Sequence, residues 1–352
     1  MKNNISFKNQ NFFIGIDVHK KSWNISIRHN NMLIKNFSIP PEPHILANYL
    51  FKNFPHANFF AVYEMGFSGF WIARTLKQLN INTIIVNPAD IPTSNKEKDR
   101  KSDTIDSNKL ARELENNNIS PVYIPDINIQ HLRSLSHLYH KTVQNSTRVK
   151  NRIKGIIHYY GIKLPFHSSQ WSNNFIQYLK SIDILGNSPA KITLDLLIDE
   201  LLLYRTHLAD ILKKLKYFVK LYNFHYIIKN IMSVPGVGFK SAITIFSEIG
   251  DMNRFKNFDK LKYYVGLVPS TYASGETSFD RGITFRRNKY LRYVIIESAW
   301  VAIRKDSALL FCFNNLCKRM RKQEAIIRIA RKLLSRIRFV WLNNCQYETG
   351  IL

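Results

Sequence analysis

The sequence predicts an α/β domain, then a long helical coiled-coil hairpin, then a mainly helical C-terminal domain. Three observations carry this. Residues 12–86 alternate short apolar strands with amphipathic stretches. Residues 132–222 hold two apolar series at helical spacing, each longer than an ordinary globular helix. Residues 231–250 turn on a Pro-Gly-Val-Gly step into a further helical pattern. The predicted domains are 1–126, 127–226 and 227–352.

The first three strands are Phe12–Asp17, Trp23–Arg28 and Met32–Ile39, parted by short polar turns. A helix over 42–53 follows the Pro-Glu-Pro break. Asn58–Glu64 is a fourth apolar strand that ends, like the first, in an acid. Phe70–Leu79 reads as helix and Ile81–Val86 as a fifth strand, stopped by Asn87-Pro88. After a charged stretch, Thr93 to Ser102, the helical pattern returns from Asp103 to Glu115 with Ile105, Leu110 and Leu114 apolar. A three-strand meander followed by alternating helices and strands is the order of an RNase H-like, or RuvC-like, domain.

That order places one acid on strand one, one near the end of strand four and the last on a closing helix. Asp17, Glu64 and the pair Asp103/Asp106 occupy those positions. Asp103 and Asp106 are three apart, so a helix carries both on one face. Clustered carboxylates repel one another and gain most from a cation between them. Mg²⁺ or Mn²⁺ takes such oxygen ligands and keeps positions open for phosphate oxygens. Asp99 competes for the third position without an acid three residues on. His19 is expected to pack or to touch phosphate rather than to ligate. Any one of these acids alone would read as a helix cap or a solvated charge.

The chain of 352 residues carries 51 Lys+Arg against 25 Asp+Glu, a formal charge of +26. That balance suits a polyanionic partner. Cys312, Cys317 and Cys345 form neither a disulfide framework nor a zinc pattern, which implies a reducing compartment. The polar N-terminus lacks a signal-type apolar run. No apolar stretch of about 18 residues suggests a membrane span.

Between Ile127 and Ile182 there is no acidic residue. Leu132, Leu135, Tyr139, Thr142, Ser146, Val149, Ile153, Ile156 and Tyr160 form a seam flanked by Arg148, Arg152 and several lysines, a basic helix suited to nucleic acid. Leu194, Leu197, Leu201, Tyr204, Leu208, Ile211, Leu215, Phe218 and Tyr222 form a cleaner heptad series, which favours at least a dimer. The stretch His167 to Ser188 between them gives no signal. Val234-Pro235-Gly236-Val237-Gly238-Phe239-Lys240 reads as a helix-hairpin-helix turn. Gly236, Gly238 and Lys240 could meet a phosphate there without reading sequence. Further on, Arg281, Arg286, Arg287, Lys289 and Arg292 could hold phosphates of a nucleic acid around a loop that contains Ser270 and Ser274. A Ser-Gly pair in a loop is ordinarily turn chemistry. The tail, Arg319 to Trp341, is a basic amphipathic helix.

Taken together, GIDVHK at Asp17, YEMGFSGFW at Glu64, the stretch holding Asp103 and Asp106, VPGVGFKSA, and YVGLVPSTYASGE…GITFRRNKYLR resemble one family. It is the Piv-type, "one-ten" insertion-sequence family of DEDD transposases, also known as bridge-RNA-guided recombinases. The likeness covers nearly the whole chain. It implies a RuvC-like catalytic domain, a coiled coil and a C-terminal transposase domain. It also implies that Ser274 is a nucleophile forming a phosphoserine DNA intermediate. Mg²⁺ or Mn²⁺ would sit on Asp17, Glu64, Asp103 and Asp106. The implied partners are donor and target DNA, a non-coding guide RNA and further copies of the chain, as a dimer or a synaptic tetramer. The expected place is the bacterial cytoplasm, at the nucleoid. One departure stands out: Arg287 occupies the place of a family glycine. The rival expectations are a junction or flap endonuclease that uses water, and a non-catalytic nucleic-acid-binding protein.

Overall fold

A computed structural model describes residues 6–92, 103–164, 171–182, 186, 188–274 and 277–348, with backbone alone for 270–274 and 277–281. The chain divides into two compact units, 1–124 and 125–352.

The first unit runs β1 (Asn11–Val18), β2 (Trp23–His29), β3 (Met32–Ile39), α1 (Pro43–Asn53), β4 (Asn58–Glu64), α2 (Trp71–Gln78), β5 (Asn82–Val86) and α3 (Asp103–Glu115). Its five-stranded sheet has the order β3-β2-β1-β4-β5. The first three strands are antiparallel, while β4 and β5 lie parallel to β1. This is consistent with an RNase H-like domain. Strand alternation decides the faces. Phe12, Ile14 and Ile16 of β1 bury against Leu46, Leu50, Ile72 and Leu76 of α1 and α2. Val62 and Val86 bury on the other face with Leu110 of α3. Both faces of the central strands are covered, so they read as apolar runs rather than as alternation.

Gly15 sets how close α3 can come. A Cβ built there would lie 1.9 Å from the Ser107 carbonyl oxygen and 2.6 Å from the Ala111 nitrogen. The helix therefore rests directly on the β1 backbone. Beneath it, the hydroxyls of Ser26 and Ser107 are 2.8 Å apart, and Asn36 Nδ2 donates to Ser26 at 2.6 Å. At the far end, Arg28 Nε donates to Glu115 Oε2 at 2.9 Å and Arg28 Nη1 to Asn108 Oδ1 at 3.1 Å. With its middle and end fixed, α3 presents its first turn, with Asp103 and Asp106, at the edge where β1 ends.

The second unit begins with α4 (Ile127–Tyr159), α5 (Asn173–Ser181) and α6 (Pro189–Leu221). α4 and α6 are 33 residues each, about 50 Å long. They pack antiparallel. Ile129 and Leu132 share a core with Ile211, Leu215 and Val219, while Val149, Ile153 and Ile157 share another with Leu194, Ile198 and Leu201. The heptad seam of α6 is thus filled by α4 of the same chain. Pro189 opens α6, and Ser188 caps it by accepting from Lys191 N. α5 rises from the stretch without sequence signal and adds Phe175, Ile176 and Leu179 to the second core.

The rest is α7 (His225–Ser233), α8 (Phe239–Ile249), α9 (Phe258–Val265), β6 (Pro269–Ser274), β7 (Thr277–Ile283), α10 (Lys289–Ala302), α11 (Ser307–Cys317) and α12 (Lys322–Leu342). Every residue of α8 from Ala242 to Ile249 is buried. α12 buries Ile326, Ala330, Leu333, Leu334 and Ile337, the apolar face of the predicted basic helix. The serine segment, expected as a loop, is a two-stranded hairpin in which Ser274 pairs with Thr277. Among the described residues, no helix is long and apolar enough to cross a membrane.

Candidate functional site

In the first unit three side chains converge. Asp17, His19 and Asp103 each offer a ligand atom, all within 4.8 Å of one another. His19 Nε2 lies 3.1 Å from Asp17 Oδ2 and 3.5 Å from Asp103 Oδ2. Asp17 reaches this position because β1 carries it one residue past Ile16, on the same face as Gly15. Glu64 holds the matching place on β4, one residue past Tyr63, the register partner of Ile16. Asp106 lies one turn along α3 from Asp103.

Electrostatics suit a cation here. Partial burial of Asp17 pushes its carboxyl above the ordinary 3.8, His19 opposes the rise by charge and hydrogen bond, and Asp103 and Asp106 add to it. A divalent ion would reverse the repulsion that these acids impose on one another. Oxygen donors fit Mg²⁺ or Mn²⁺, and the imidazole suits the softer of the two better. The donor set therefore fits a metal held by Asp17 and Asp103, with the Asp106 charge felt by Asp17; Glu64 and Asp106 are not among the side chains gathered within 4.8 Å. His19, expected to pack or to touch phosphate, instead sits within the carboxylate group. Its hint was the two-residue spacing from Asp17, which puts both on one face of an extended strand. Asp99 lies outside the described residues.

The predicted nucleic-acid contacts fall in the second unit. Gly236 has φ +86°, and a Cβ there would lie 2.3 Å from the Ser298 carbonyl oxygen. Its bare face is thus taken by α10. Gly238 has nothing within 4 Å of the same construction and stands at the N-cap of α8 without a side-chain cap. Lys240 lies over the Tyr139 ring, 5.4 Å from its centroid. Arg148 donates to Asn145 at 3.2 Å, and Arg152 pairs with Glu200 at 3.7 Å. Lys289 lies over the Tyr290 ring. Arg286 and Arg287 are exposed beside half-buried Arg292. Arg287 is not among the residues of positive φ, so its backbone does not need the glycine of the family pattern. The side chains of Ser274 and Ser270 lie outside the described residues.

A buried network without a signature in the sequence joins α8, α4 and the start of α10. Glu248, 4% exposed on α8, accepts from Asn288 Nδ2 at 2.6 Å and pairs with His137 of α4. Asn288 in turn caps α10 by accepting from Tyr290 N and Leu291 N. Arg133 Nε donates to the Ser247 carbonyl at 2.8 Å, and the His137 ring stacks on Tyr290. Burial works against the Glu248 charge, but His137, Asn288 and Arg133 outweigh it and hold the carboxyl below the ordinary 4.5. Glu248→Ala strips a buried acid from its partners. It should cost about 3 kcal/mol, read as a lower midpoint in urea. Because the folded value is depressed, the stability that Glu248 supplies is present above 4.5 and is lost as pH falls below it. The wild type should therefore lose more stability than Glu248→Gln on acidification through that range.

Comparison with known proteins covers both units. A family model described as the transposase IS116/IS110/IS902 family matches residues 228–310, and a DEDD transposase model of IS110 type matches 14–161. The transposase-named y4rJ protein of Sinorhizobium fredii is 26% identical over 309 residues, 78% of this chain and 74% of its own length. A second such protein of that organism, y4qE, is 27% identical, over 70% of this chain and 59% of its own. The transposase for insertion sequence element IS1111A of Coxiella burnetii is 25% identical, over 66% of this chain and 62% of its own. The chain thus spans about three-fifths of the length of the latter two. The matches bear out the family resemblance carried by the motifs.

Proposed function

As the chain belongs to the IS116/IS110/IS902 family of transposases, we propose that it is a metal-dependent DNA recombinase with a serine nucleophile. The observation that carries this reading is the convergence of Asp17, His19 and Asp103 within 4.8 Å, at the end of the central strand of a sheet whose strand order suits RNase H-like chemistry. Asp17, Glu64, Asp103 and Asp106 would hold Mg²⁺ or Mn²⁺. Such ions polarise a scissile phosphate and stabilise the oxygens that attack and leave.

Ser274 attacks phosphorus in this reading. A bond forms from its Oγ to phosphorus, and the bond from phosphorus to one sugar oxygen breaks. The hydroxyl proton passes to a base, and the departing sugar oxygen takes up a proton. The phosphoserine keeps the ester, so rejoining to another strand needs no high-energy cofactor. The metal acids belong to the first unit and Ser274 to the second. Gly238, Lys240, Arg286, Arg287 and Lys289 would hold the backbone around the hairpin, with Arg148 and Arg152 along α4. Gly236 contributes by fixing the turn against α10. The family resemblance and the charge of +26 support donor DNA, target DNA and an element-encoded guide RNA as partners. Exchange between two duplexes calls for several copies of the chain, working at the nucleoid in the cytoplasm.

Denaturing electrophoresis with labelled DNA and Mg²⁺ tests the serine. The wild type should give a band in which protein and DNA stay joined after boiling, and Ser274→Ala should give none. Cleavage that survives Ser274→Ala at the wild-type rate would instead mean that water is the nucleophile.

A further inference from the structure

The root of the serine hairpin is held by arginines from two helices. Arg331 of α12 donates from Nε to the Leu267 carbonyl at 2.5 Å, just before β6. Arg292 of α10 donates from Nη2 to the Thr284 carbonyl, just after β7. Thr284 N closes the root by donating to Val268 O at 3.1 Å. Gly266, at φ +82°, leaves room for this: a Cβ there would lie 2.4 Å from Arg292 Nη2 and 2.5 Å from Arg287 Cβ. Three guanidinium side chains thus crowd the two residues Gly266 and Leu267.

Among the described residues, none of Arg287, Arg292, Arg328 and Arg331 makes a salt bridge. Arg292 Nε is buried with no hydrogen-bond partner. Arg287 beside Arg292, and Arg328 beside Arg331, add to the cost that burial places on each charge. Next to them a cavity of about 690 Å³ is bounded by Pro269, Gly282 and Ile283 of the hairpin root and by Arg328 and Arg331. Among the described residues, Glu324 is the one acid on its wall, a helical turn before Arg328.

We propose that this root is a seat for a nucleic-acid backbone phosphate, in which Arg328 and Arg331 of α12 join Arg287 and Arg292. Planar guanidinium groups bind phosphate through paired N–H donors, and each supplies charge that a protein carbonyl only partly satisfies. Arg292 and Arg331 are bonded to the two feet of the hairpin. A phosphate in the seat is therefore tied through them to the segment that carries Ser274. This rests on the recombinase reading and extends it, because the tail helix otherwise serves only as packing.

The test is a salt titration of binding by the full-length chain in EDTA, by fluorescence anisotropy, with duplex DNA and with single-stranded RNA as separate probes. Each phosphate contact contributes about 0.9 to the log–log salt slope on duplex DNA and about 0.7 on a single strand. Arg328 is exposed and makes no bond to the hairpin, so Arg328→Ala should fold normally. It should lower the slope by about one contact. Arg328→Lys should largely restore the slope. Lys52→Ala, on α1, removes the same charge elsewhere and should leave the slope unchanged. Arg331→Ala should lower the slope as well, with its thermal midpoint checked alongside. A fall on DNA alone assigns the seat to DNA, a fall on RNA alone to the guide, and a fall on both to either backbone. An unchanged slope for Arg328→Ala on both probes, or an equal fall in Lys52→Ala, overturns the seat. Since EDTA silences the metal site, failure here leaves the adduct experiment standing, and failure of the adduct experiment leaves the seat standing.

Discussion

Asp17→Asn should lower metal-dependent DNA cleavage by about three orders of magnitude, while duplex binding measured in EDTA stays within about twofold. The size follows from the several kcal/mol of transition-state stabilisation that a bound cation supplies, at about 1.4 kcal/mol per tenfold. Asp17 is much more buried than Asp103, with 23% of its side chain exposed against 63%. Solvent can replace it less easily. The amide keeps the shape of the side chain and discards its charge, so a lost fold would not explain a lost rate. The raised Asp17 carboxyl also predicts a pH effect. Protons compete with the cation at pH values where an ordinary aspartate is already ionised, so cleavage at limiting metal should fall earlier on acidification than at saturating metal. Rates of single-turnover cleavage against pH, at two Mn²⁺ concentrations, check this.

The second large effect is expected from a residue that carries no chemistry. Gly15→Ala places a methyl group 1.9 Å from the Ser107 carbonyl oxygen and 2.6 Å from the Ala111 nitrogen. Both contacts are backbone, and neither can swing aside. Either α3 lifts from β1 or the strand bends, at about 1–3 kcal/mol of overpacking. If α3 lifts, Asp103 leaves Asp17, and cleavage should fall at least tenfold even where the chain remains folded. Thermal unfolding and cleavage at a temperature well below the midpoint separate the two losses. Unchanged stability and activity in Gly15→Ala would contradict the seating of α3 on the bare strand.

Local pattern made much of the first unit readable. β4 and α3 begin and end where the apolar periodicity placed them, at Asn58–Glu64 and Asp103–Glu115. Buried central strands reveal themselves as apolar runs, and an acid that ends such a run is easy to see. Gly15 was visible as a letter, but its use depends on what lies above it. His19 looked like a bystander because a single histidine shows its partners only in three dimensions. In the second unit the heptads of α6 gave its length and buried face. A heptad, however, marks a face that needs a partner without saying whose, and here α4 of the same chain supplies it. Glu248 was hidden for a related reason: a lone acid in a helix reads as solvated until His137 and Asn288, 111 and 40 residues away, close around it. The stretch around Ser274 has the composition of a loop, because Ser, Thr and Gly are turn residues, whereas the pairing of Thr271 to Asp280 and Tyr272 to Phe279 makes it a ladder.

In the proposed recombinase, Asp17 and Asp103 are brought together to hold a divalent cation. Mn²⁺ titrated into the full-length chain and followed by electron paramagnetic resonance measures this directly, since bound Mn²⁺ loses the sharp signal of the free ion. The wild type should bind at least one Mn²⁺, displaced by excess Mg²⁺, and Asp17→Asn combined with Asp103→Asn should abolish that binding. Equal Mn²⁺ uptake by the double variant and the wild type would place the metal elsewhere and contradict the assignment.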